Sequence, residues 1–77
     1  MNIPSINPQL RNIISGAIVD YVFVIHVDKN PPITADVECY IDEVWSQEDT
    51  MKSMSIQNAR DWWNTLVHKG YERILTP

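Results

Sequence analysis

The chain has one cysteine, two glycines and no apolar run near eighteen residues. One cysteine closes no internal disulfide, which excludes the disulfide-stapled secreted mini-protein and fits a reducing compartment. Two isolated glycines, Gly16 and Gly70, cannot form a glycine-rich phosphate loop. Without a long apolar run nothing is expected to span a membrane. The start, Met1-Asn2-Ile3-Pro4, has no basic stretch followed by an apolar one, so no signal peptide is expected. There is no Cys-x-x-Cys and no His-x-x-x-His, so neither metal nor cofactor is expected. Basic residues are also few, six against ten acids, for a net charge of −4. Arg11, Lys29, Lys52, Arg60, Lys69 and Arg73 are scattered along the chain. That is no footprint for a phosphate backbone, so direct nucleic-acid binding is not expected.

What remains is one small acidic domain of 77 residues, expected in the cytoplasm. A chain of this size buries about 60% of its unfolded surface. Its net stability should lie at about 4–12 kcal/mol. A deep catalytic cavity would remove scarce core, so size favours a binding role over an enzyme.

The clearest element is a strand over 17–28. Ala17, Val19, Tyr21, Phe23, Ile25 and Val27 alternate onto one face, which should be core. Ile18, Asp20, Val22, Val24, His26 and Asp28 share the other. Lys29-Asn30-Pro31-Pro32 reads as a loop, since proline lacks the N–H a ladder needs. A second strand over 34–45 puts Val37, Cys39, Ile41 and Trp45 on one face and Asp36, Glu38, Tyr40 and Asp42 on the other. The alternation breaks at Asp42–Val44, which suggests a bulge or a strand end. The two strands should form an antiparallel hairpin with one acidic face. Residues 46–53 read as a polar connector. Residues 1–16 are an N-terminal extension in which 7–16 admit two readings. Asn7-Pro8 is a helix start signal closed by Gly16, while Ile13-Ile14 favours a strand turning at Ser15-Gly16.

A helix over 55–69 follows. Ser55 can cap its start, and Ile56, Ala59, Trp62, Trp63, Leu66 and Val67 form its apolar stripe. Gly70 and Tyr71 then supply a left-handed stop in which Tyr71 packs on Leu66. The expected fold class is α+β: a small antiparallel sheet packed against a C-terminal helix, with 72–75 returning as a short strand or tail. The stretch Ala59-Arg60-x-x-Trp63-x-x-Leu66-x-x-x-Gly70-Tyr71-x-Arg73 resembles the closing signature of small uncharacterised cyanobacterial proteins. Tyr71 stands where those proteins usually carry Trp. The resemblance implies a β-then-α layout and a cyanobacterial source, and brings no catalytic residue.

Candidate chemistry is sparse. A Cys39–His26 nucleophilic pair would need both on one face, and their strand parities place them on opposite faces. Cys39 therefore reads as a core thiol. Asp36, Glu38, Asp42, Glu43, Glu48 and Asp49 form an acidic run with no Lys or Arg among them. Such a run keeps a domain soluble, attracts a basic protein partner, or imitates a nucleic acid. Three tryptophans stand out. Trp62 and Trp63 are adjacent and lie roughly 100° apart around the helix. Trp63 should be central and Trp62 partly exposed, as interface anchors are.

The expected partner surface is Trp62 and Trp45 with Asp36, Glu38 and Asp42. The expected role is a non-enzymatic interaction module, an adaptor or regulator docking on a larger protein with a basic patch. The alternatives are an acidic nucleic-acid mimic of the phage anti-defence type, or a subunit of a homo-oligomer paired through strand edges.

Overall fold

The structure, a computed structural model, describes residues 7–26 and 34–74. The Pro31-Pro32 loop, Val27 and Asp28 lie outside the described residues. Among the described residues five strands and one helix follow in order: β1 (Gln9–Ile14), β2 (Ala17–His26), β3 (Thr34–Ile41), β4 (Val44–Ser55), α1 (Ile56–His68) and β5 (Glu72–Ile74). All neighbouring strands are antiparallel, in the order β4-β3-β2-β1-β5. The fold is thus α+β, a sheet with the C-terminal helix packed on one face. No helix among the described residues is long and apolar enough to cross a membrane.

One open reading is decided and two expectations change. The strand expected over 34–45 ends at Ile41, and β4 starts at Val44 after a turn. Residues 9–14, which admitted a helix or a strand, are a strand between β2 and β5. Their turn, Ser15-Gly16, has φ of 52° and 83°, the doubly left-handed form whose twist suits a two-residue hairpin. The polar connector 46–53 is likewise part of a strand, β4, at the sheet edge. An edge strand with few buried positions needs no apolar alternation, so composition hid it. Its pairing with β3 also slips twice, between Ala35 and Val37 and between Val37 and Cys39. At the slip nearer the turn the Cys39 N–H donates to the Thr50 hydroxyl (3.1 Å). That hydroxyl in turn donates to the Ser46 carbonyl (2.7 Å). A side chain thus fills the gap in the ladder.

The core lies between the helix and one sheet face. Leu10, Phe23, Ala35, Val37, Cys39, Ala59 and Leu66 are its buried apolar residues. Phe23 meets Trp63 edge-on at 5.0 Å between ring centres, a favoured aromatic geometry. Of the β2 residues expected in the core, Tyr21 and Phe23 reach the helix, but Ile25 is 46% exposed. Thirteen helical residues span about 20 Å, shorter than ten strand residues, so the strand ends overhang. Ser55 caps the helix by accepting from the Asn58 N–H (3.1 Å). At the other end the Tyr71 N–H donates to the Leu66 carbonyl (3.0 Å) and that of Gly70 to Val67 (3.1 Å). Gly70 sits at φ 99°, completing the left-handed stop.

Candidate interaction surface at the two-turn end

One acidic residue of β3 bonds to both neighbouring strands. Asp36 lies on the helix-free face, between buried Ala35 and Val37. Its carboxylate accepts from the Ser53 N–H (2.8 Å) and pairs with His26 Nε2 (2.9 Å). Ser53 has φ 57°, so Asp36 fixes the irregular turn of β4 that this conformation makes. Those two contacts, the Ser53 bond first, lower the Asp36 pKa below its ordinary value. Glu38 accepts from the Tyr40 hydroxyl (3.3 Å) and Asp49 from the Ser46 hydroxyl (2.8 Å).

Asp42 is a fastener between the two hairpins. Its Oδ1 accepts from the Ile18 N–H (2.9 Å), and its own N–H donates to the Ile18 carbonyl (2.8 Å). Asp42 and Glu43 form the β3–β4 turn, with φ of 49° and 69°. This two-residue turn reassigns Trp45. Counted along an unbroken strand, Trp45 falls beside Val37, Cys39 and Ile41. In the structure the chain reverses at 42–43 and Trp45 pairs with Tyr40 from β4. Its ring therefore lies on the helix-free face, 45% exposed.

Trp62 goes the other way. Its ring meets Tyr21 edge-on at 5.8 Å, Lys69 Nζ lies 5.6 Å from its centre, and its indole Nε1 is buried. Trp62 is thus half-buried on the helix side of the sheet, across from Asp36 and Glu38. The expected surface joining Trp62 to the acidic β3 face does not assemble, because the sheet separates its parts. The two faces of the helix stripe's edge are served by Tyr21 and Lys69, which sequence spacing alone does not bring together.

A different concentration appears at the end of the sheet holding both turns. Among the described residues, Ile13 (66%), Ile14 (44%), Ile41 (38%), Val44 (68%) and Trp45 (45%) are five of eight large exposed apolar side chains. Ile13 pairs with Ile18, Val19 with Ile41, and Ile41 with Val44, so they share one end of the sheet. The cross-hairpin bonds of Asp42 hold that end in one piece.

Behind it lies an ion pair that no motif announced. Arg11 donates to Asp20 from Nε (2.7 Å) and Nη2 (3.0 Å) on the helix-free face. The Asp20 residue is 4% exposed although no helix covers it. The same bonding raises the Arg11 pKa. Placing the turn at Ser15-Gly16 already sets Arg11 opposite Asp20, and that is the signal that could have found the pair. Cys39 is buried on the helix side and His26 exposed on the other, so they form no pair. Burial raises the Cys39 thiol pKa, which disfavours the reactive thiolate.

No family model, no curated protein and no solved structure matches the chain.

Proposed function

We propose that this domain is a non-enzymatic interaction module, an adaptor or regulator that docks on a larger protein through its two-turn end. The observation that carries the reading is the gathering of Ile13, Ile14, Ile41, Val44 and Trp45 at one end of the sheet. Ile14, Ile41 and Val44 stand on the helix side of that end and Ile13 and Trp45 on the other, so the partner wraps the end of the sheet; exposed apolar residues gathered in one region are the usual mark of a partner site. Trp45 is its aromatic anchor, and Glu43 beside it suits a partner whose apolar groove has a basic rim. Strain agrees with this placement. A glutamate at positive φ costs on the order of 1–2 kcal/mol, and such residues cluster at functional sites.

The acidic-mimic reading is weaker, since Asp36, Glu38, Asp42 and Asp49 are engaged inside the protein. The test is capture from the native lysate with the parent and a Trp45→Ala variant, followed by mass spectrometry. A specific partner should be lost from the variant, at a cost of about 2 kcal/mol or more. The variant's circular dichroism should match the parent's. A partner held equally by both proteins removes Trp45 from the interface. Binding that collapses steeply with salt supports the mimic, and sedimentation as a dimer supports the homo-oligomer.

A further inference from the structure

At the opposite end of the core, helix and sheet do not close on each other. A cleft of about 360 Å³ opens there, within the range of small-molecule sites. Phe23, Ile25 and Ala35 form its sheet wall, and Ile56 and Trp63 its helix wall. Ile25, 46% exposed, stands at the lip. Two cations reach the same cleft, Arg60 from α1 and Arg73 from β5.

Their position contrasts with the charge of the rest of the chain. The net charge is −4, with six bases in all. Arg11 is bound to Asp20, and Lys69 lies over Trp62. Among the described residues the ion pairs are Arg11–Asp20 and His26–Asp36, so neither Arg60 nor Arg73 has an acidic partner there. Two guanidinium groups beside an apolar slot form an amphipathic site. Each guanidinium presents a planar fork of donors that matches a carboxylate, and the apolar walls gain by excluding water.

We propose that this cleft binds a small amphiphilic monocarboxylate, with an alkyl chain along Ile25, Ala35 and Trp63 and its carboxylate at Arg60 and Arg73. The site is separate from the two-turn end and does not depend on its role.

The probe is sodium decanoate, titrated into the full chain below its micelle-forming concentration and followed by the Trp63 indole resonance in NMR. The expected result is a saturable shift. Arg60→Gln with Arg73→Gln should weaken it at least about tenfold, the effect of losing charge-assisted hydrogen bonds. Both arginines are exposed, so the double variant should keep the parent's circular dichroism. The second measurement uses 1-decanol, which has the chain without the charge and should bind at least about tenfold more weakly. No saturable shift with decanoate overturns the proposal. So does equal binding by the double variant, or equal binding of 1-decanol.

Discussion

Around Phe23 and Trp63 apolar side chains meet one another; at the two turns, on the same strands, they meet water. The covered region is built from Leu10, Phe23, Val37 and Leu66, each nearly inaccessible. The turn end carries side chains of the same kind, Ile13, Ile41 and Val44, and leaves them exposed. Its turns are strained at Glu43, whereas the helix is capped at both ends. Burial therefore follows where the helix lies and not the apolar pattern of the strands. The region that contributes least to stability is the one free to contribute to binding.

The largest test of that division is Trp63→Ala. Removing a large aromatic packed on the core costs about 3 kcal/mol, the low end of the Trp-to-Ala range because the Trp63 ring is half-buried, and still a large share of what a 77-residue domain has. Thermal melting should fall accordingly. A variant that melts like its parent would break the comparison, because Trp63 would not be covered.

Asp20→Asn should come next, at about 1–3 kcal/mol, since it leaves Arg11 without its charged partner. Urea unfolding would measure it. The pair shows that the helix-free face is not uniformly a solvated surface, and an unchanged midpoint would say that it is.

Glu43→Gly should move stability upward by about 1 kcal/mol, because glycine adopts positive φ without the side-chain clash. A loss of stability on urea unfolding would mean the turn is not strained, and the contrast with the capped helix would fade.

How much of this division the sequence made legible depends on which residues alternate. Strand β2 and helix α1 were legible because their apolar periods run long, and Gly70-Tyr71 closes the helix as its spacing implied. The edge strand β4 was not, because Ser46–Ser53 faces water and slips register twice. Trp45 was misplaced by a turn of only two residues, Asp42-Glu43, which carries no glycine or proline to announce it. The partner surface inherited that error. It gathered Trp62 with Asp36 and Glu38, which the sheet keeps on opposite sides, and omitted Ile13 and Val44.

Asp36 gives a pH-dependent probe of the helix-free face. Its folded pKa is lowered from 3.8, first by the Ser53 N–H and then by His26. A lowered folded pKa means the unfolded chain binds the proton more readily. The resulting stability is present above the ordinary carboxylate value near 3.8 and is lost as pH falls through the lower folded value. Asp36→Asn should therefore flatten the acid side of the stability–pH curve. It should keep the Ser53 bond, since the amide oxygen still accepts. An acid limb as steep as the parent's would assign the effect to other carboxylates.

The smallest expected effect falls on the two-turn end itself. Ile13→Thr combined with Val44→Thr removes apolar surface that is 66% and 68% exposed and keeps β-branching in both strands. Stability should change by no more than about 0.5 kcal/mol, as for surface positions away from core, caps and buried pairs. The same pair should weaken docking on the partner by slowing association little and speeding dissociation, because the lost contacts are apolar. Melting and binding rates measured on one preparation decide the matter. If the double variant melts far below its parent, these residues are covered by something in the free protein. The turn end would then be part of the core and not the surface left for a partner.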